Sequence, residues 1–193
     1  YLVRGIDFSA SVNFPITADV KWISTANASH LLRLQQTLED GTVQRYDGTL
    51  GPCNISSCSG APKWRASWQN TLDFNGRGNV SLTSYYTSSY SSVATDSLGI
   101  YGDCAGSAAT GQLVSYNNGD PVQCRSKSVF YMDGHAEIKV QDKFTFYLDV
   151  KNLLDKKPSY DPNAAYGLYQ FNPAWGDSLF IGRYFRFGAK VDF

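Results

Sequence analysis

Apolar and polar residues alternate along most of this chain. Residues 2–14 place Ile6, Phe8, Ala10, Val12 and Phe14 on one side of an extended strand and Asp7, Ser9, Ser11 and Asn13 on the other, because strand side chains repeat with a period of two. Pro15 ends ladder pairing, and residues 16–19 make a short connection. A second strand runs over about residues 20–36, its polar row of Lys21, Thr25, Asn27, Ser29 and Arg33 interrupted by Ile23 and Leu31. Residues 64–74 set Trp64, Ala66, Trp68, Leu72 and Phe74 against Arg65, Ser67, Gln69, Thr71 and Asp73, and Asn75-Gly76-Arg77-Gly78 signals a tight hairpin. Residues 79–90 return with Val80, Leu82 and Tyr86 opposite Ser81, Thr83 and Thr87. Residues 129–140 and 144–153 form another pair across a short turn. In the last strand Phe185, Phe187, Ala189, Val191 and Phe193 oppose Arg186, Gly188, Lys190 and Asp192.

This predicts roughly seven antiparallel strands whose connections alternate short and long, the long ones being polar stretches at residues 39–63, 91–125 and 154–180. Short turns at one end and long loops at the other are the layout of an outer-membrane barrel. Barrel strands of about 9–11 residues cross a bilayer without any long apolar run. Trp22, Trp64 and Trp68 are candidates for an aromatic girdle at the lipid interface.

Composition sharpens the picture. Aromatic residues make up 15% of the chain and charged residues 18%, the latter below the ~25% of a soluble domain. With Lys+Arg 17 against Asp+Glu 17 the formal charge is zero, so no basic footprint for nucleic acid is present. No leader sequence opens the chain, and residues 1–5 read as the middle of a strand. The expectation is therefore a fragment, or one piece of a longer protein.

Two segments carry a family resemblance. Asn152-Leu153-Leu154-Asp155-Lys156-Lys157-Pro158, followed by Gly182-Arg183-Tyr184-Phe185-Arg186-Phe187-Gly188 and a terminal Phe193, resembles the carboxy-terminal end of TonB-dependent outer-membrane receptors, with Leu154 where that family usually has Phe. The resemblance implies an all-β fold: residues 1–193 would be a segment of an antiparallel transmembrane β-barrel, the carboxy-terminal third of a plugged barrel of about 22 strands. Seven strands cannot close alone, so the first and last would pair with the remainder of the barrel. The plug domain would lie outside this chain, and Phe193 would end in the periplasm. Implied too are a Gram-negative outer membrane, lipid and the TonB complex as partners, and uptake of a siderophore-type chelate, cobalamin or oligosaccharide. Phe185, Phe187 and Phe193 would form the barrel-assembly signal.

Within that frame Cys53, Cys58, Cys104 and Cys124 fall in external loops. Disulfides Cys53–Cys58 and Cys104–Cys124 are expected in an oxidising compartment, and the spacings match no strong zinc ligand set. Tyr160, Asp161, Tyr166, Tyr169, Trp175 and Asp177 set flat aromatics beside short polar groups, which suits a sugar ring or an aromatic chelate; packing of the loop onto the rim would need the same residues. His135, near Asp133 and Glu137, is the one candidate for hydrolytic chemistry, but no nucleophile elbow accompanies it and it reads as a lumen residue. Gly76-Arg77-Gly78 lacks phosphate-binding context, and no cofactor motif is present. His30 falls on the apolar row without explanation. The reading is a transport protein without catalysis; the alternative is a secreted β-rich carbohydrate-binding module.

Overall fold

A computed structural model of the protein describes residues 1–49, 60–91, 125–141, 143–159 and 177–191. The main sheet is antiparallel, and seven strands form its path: β1 (Leu2–Pro15), β2 (Lys21–Thr37), β4 (Trp64–Asp73), β5 (Gly78–Thr87), β8 (Val129–Val140), β9 (Phe144–Lys151) and β10 (Tyr184–Val191). An eighth strand, β3 (Val43–Arg45), pairs with β2 beside that path, and β6 (Tyr90–Ser91) pairs separately with β7 (Arg125–Ser126). The sheet is open, with β1 and β10 at its edges. Among the described residues the only helix is a 3-10 turn at Asp177–Ile181.

Register aligns the alternation of every strand. Neighbouring strands put their mostly apolar rows on one face, and one row reads Phe14, Trp22, Leu72, Val80, Ala136, Leu148, Phe187 without a break from edge to edge. No second layer covers this face among the described residues: Phe187 is 81% and Phe185 67% exposed. Among the described residues the one cluster of buried apolar side chains is Val129, Tyr131 and Leu179 on the other face, with Tyr85 packed against them, while Tyr46 and Tyr90 are buried apart from it.

Several of the polar groups that intrude on the apolar face find partners there. The Trp68 indole N–H donates to Ser24 Oγ at 2.8 Å, and the Trp22 indole N–H donates to Asn70 Oδ1 at 3.2 Å. His30, unexplained by the sequence, stacks on its cross-strand partner Trp64 with centroids 4.0 Å apart, and Nδ1 donates to the Lys63 carbonyl at 3.2 Å. The three tryptophans do not share one level. Trp64 lies at the long-loop end of β4, Trp22 near the short-turn end of β2, and Trp68 midway. The expected common girdle is thus corrected.

Turn chemistry explains the short connections. Asn75 (φ 54°) and Gly76 (φ 71°) both take positive φ, as a type I′ hairpin requires. Gly78 then brings β5 so close to β8 that an added Cβ would collide with the Glu137 carbonyl.

Three other expectations are corrected. The stretch 39–63 is not wholly loop: Asp40 Oδ1 accepts from the Thr42 N–H at 2.9 Å, Gly41 takes φ 84°, and the chain turns back onto β2 as β3. The strand after the hairpin stops at Thr87, not Tyr90, which belongs to β6. A bulge at Arg4/Gly5 shifts the β1–β2 register, so Arg33 faces Arg4 instead of continuing the row of Asn27 and Ser29.

Candidate functional site

The polar face is a lattice fixed by register. Across β1, β2, β4 and β5 it carries mainly hydroxyls and amides with scattered charges such as Asp7 and Arg65, tied in part by Ser9 Oγ donating to Asn27 Oδ1 (2.9 Å), Ser29 Oγ donating to Asp7 Oδ1 (2.6 Å) and Thr71 Oγ1 bonded to Ser81 Oγ (2.8 Å). Across β8, β9 and β10 it carries charges, five of which pair among themselves: Asp133 with Lys151, and Asp149 with His135 and Arg186. Lys151 Nζ donates to Asp133 Oδ2 at 2.8 Å. Asp149 accepts from His135 Nδ1 at 2.7 Å on one oxygen and from Arg186 Nε at 2.8 Å and Nη2 at 2.7 Å on the other.

The partner of His135 is thus neither Asp133 nor Glu137 along its own strand but Asp149, its register mate on β9. On the other side its register mate is Ser81. Ser, His and Asp therefore stand in one row, yet the Ser81 hydroxyl engages Thr71 instead of His135. Arg186 also lies 5.9 Å from the centroid of the Tyr147 ring. That ring covers Gly188, its cross-strand partner, filling the space a side chain would take.

The segment 152–158 acts as a clasp. Asn152, fully buried and at φ 50°, donates through Nδ2 to the Lys156 carbonyl and accepts at Oδ1 from the Lys156 N–H, each at 2.8 Å. Its own N–H donates to Asp133 Oδ1 at 2.9 Å. Leu153 N–H reaches the Met132 carbonyl at 2.7 Å, while Asp155 Oδ1 accepts from the Arg183 N–H at 3.0 Å and so fastens the turn to the start of β10. This turn ends β9 at Lys151, two residues short of the expected end.

At the long-loop end the connections are knitted together by backbone bridges pairing Asp47 with Ala61 and Thr49 with Ser91. The Asp47 side chain is wholly covered, with Arg45 Nη2 at 2.7 Å and Lys63 Nζ at 3.5 Å. Burial pushes this carboxyl up, but hydrogen bonds from Arg45 and the Leu34 N–H, with the charges of Arg45 and Lys63, outweigh it and hold the carboxyl below its ordinary value. The stability it contributes is complete above the unfolded-state pKa of about 3.9 and is lost as pH falls through the lower, folded-state pKa. Exchange protection of the Leu34 amide, which donates to Asp47 Oδ1 at 3.2 Å, is accordingly expected to drop on acidification below pH ~4. Asp47→Asn should reproduce that drop at neutral pH. Protection that ignores both changes would show that the carboxylate does not hold the layer.

No family model matches this chain, and no curated protein does. The residues singled out in the sequence distribute as follows. Tyr160, Asp161, Tyr166, Tyr169 and Trp175 lie outside the described residues, as do Cys53, Cys58, Cys104, Cys124 and Phe193. Asp177 opens the 3-10 turn, which brings buried Leu179 against Val129 and Tyr131. Phe185 and Phe187 stand on the exposed apolar face. Sequence reading did not find the row His135–Asp149–Arg186 or the Asp133–Asn152 contact, since both link strands whose relative register alternation alone leaves open.

Proposed function

We propose that this chain is wall and rim of an outer-membrane β-barrel, the carboxy-terminal part of a TonB-dependent transporter. The observation that carries the reading is a largely apolar face of seven strands, one row of it apolar from edge to edge and uncovered among the described residues, opposite a hydrogen-bonded polar face. Hydrocarbon suits the first and a water-filled lumen the second. The satisfied indoles of Trp68 and Trp22 suit the same medium, because a lone N–H in lipid is costly. Open edges at β1 and β10 call for strands from the rest of such a barrel. The segment 152–158 and the segment 182–188, which supplied the family resemblance, meet in space at Asp155 and Arg183. On this reading the protein takes up a scarce nutrient, energised through the plug, and the wall itself performs no chemistry.

The test is depth. In single-tryptophan variants reconstituted with brominated acyl chains, Trp68 is expected to be quenched more strongly than Trp22 or Trp64, since it lies midway along the sheet. The reconstituted protein should also migrate faster unheated than boiled in detergent gels. A protein released from cells without detergent, with all three tryptophans untouched by bromine, would favour the secreted carbohydrate-binding module instead.

A further inference from the structure

Near the long-loop end the polar face holds a concavity of about 540 Å³ between β2, β4, β5 and β8, within the size range of ligand sites. Its lining includes Asn27, Arg65, Ser67, Tyr85, Thr87 and Tyr131. Tyr85 and Tyr131 stack with centroids 4.7 Å apart and planes 17° from parallel. Tyr131 is clustered with buried Leu179 and Val129, and Tyr85 packs against that cluster, so the aromatic platform is backed by apolar side chains.

Three groups around the platform are open to a ligand. Asn27 accepts from Ser9 at Oδ1, which leaves its Nδ2 donors unengaged among the described residues. The hydroxyls of Ser67 and Thr87 likewise have no protein partner among the described residues. Donors and acceptors are thus set around an aromatic face, the combination that reads hydroxyl groups on a ring whose C–H face stacks.

Charge argues against other classes. Arg65 is the one ionised side chain in the lining, and the nearest charges below it, on β8–β10, are already paired. A polyanionic chelate would call for a cluster of cations. A bare metal ion would call for a cluster of His, Cys, Asp or Glu, and none occurs among the described residues.

We infer that this concavity is a subsite for one ring of a neutral oligosaccharide, stacked on Tyr85 and hydrogen-bonded by Asn27, Ser67 and Thr87. The inference rests on the barrel-wall reading for the direction in which the site faces.

The experiment uses the natural full-length protein in detergent micelles, first checked for heat-modifiable migration, then titrated with neutral gluco-, xylo- and manno-oligosaccharides and with a ferric tris-catecholate as the anionic probe. At least one neutral series is expected to bind. Asn27→Ala and Tyr85→Ala should each weaken it about tenfold or more, and Tyr85→Phe should retain most of it. Asn27 is exposed, so its variant keeps the test valid should Tyr85→Ala not fold. A heat-modifiable protein that binds no neutral oligosaccharide overturns the subsite alone. So does binding indifferent to both alanine variants, or binding of the tris-catecholate that those variants abolish. A protein that never shows the heat-modifiable form overturns the wall reading and this inference with it.

Discussion

Leu148→Arg is expected to cost about 2–3 kcal/mol when unfolding is measured by urea titration from lipid vesicles, in the range for a cation placed deep in hydrocarbon. Leu148 stands on β9 between Ala136 of β8 and Phe187 of β10, in the row that is apolar from edge to edge. With hydrocarbon outside, as proposed, an arginine there would have no water within easy reach, and its cross-strand neighbours offer no acceptor. Gln69→Arg, on the opposite face of the same sheet, should change stability by no more than about 0.5 kcal/mol. The contrast between the two matters more than either value. Equal, small effects would mean that water bathes both faces, and the membrane reading would not survive. A large loss from Leu148→Arg together with unquenched tryptophans would point instead to a covering layer of protein.

Asn152→Ala is expected to destabilise by about 3–4 kcal/mol, through two separable causes. The substitution removes both side-chain hydrogen bonds to Lys156, each worth about 1 kcal/mol. It also places a residue with a Cβ and no polar side chain at φ 50°, where the left-handed region costs about 1–2 kcal/mol. Asn152→Gly relieves the second cause and retains the first, so it should recover about 1 kcal/mol of the loss. Equal losses from the two variants would remove the backbone component from the account. Loss of the clasp should also free the start of β10, because Asp155 fastens that turn to Arg183. Faster exchange at the Arg183 amide is the accompanying sign.

Strand identity was legible wherever alternation was clean. Residues 129–140 match β8 at both ends, and Asn75-Gly76 specifies its turn because few residues other than Asn and Gly accept two consecutive positive φ values. Asp40-Gly41 carries the same kind of signal, and a polar stretch read as loop hides it. Register was not legible. His135 looked toward Asp133 and Glu137 because those are its neighbours in sequence, while Asp149 reaches it only once β8 and β9 are paired. Arg33 shows the related failure, since one extra residue in a strand reverses which side every later side chain takes. Of the candidate site, the aromatic loop 160–176 lies outside the described residues. Tyr85 and Tyr131 drew no notice in the sequence because they are 46 residues apart and become a platform only by cross-strand pairing.

The strands of this sheet differ in height. β2 has 17 residues and β10 has 8, a difference of roughly 30 Å along the strand at about 3.3 Å per residue. Most of the excess stands at the end where β3 and the Asp47 layer sit. Among the described residues the edge of the sheet is therefore uneven, tall at β1 and β2 and low at β10. If this sheet is the wall of a transporter as proposed, a molecule descending from that side would meet β1 and β2 before the other described strands, so its approach would be lopsided before any contact selected it.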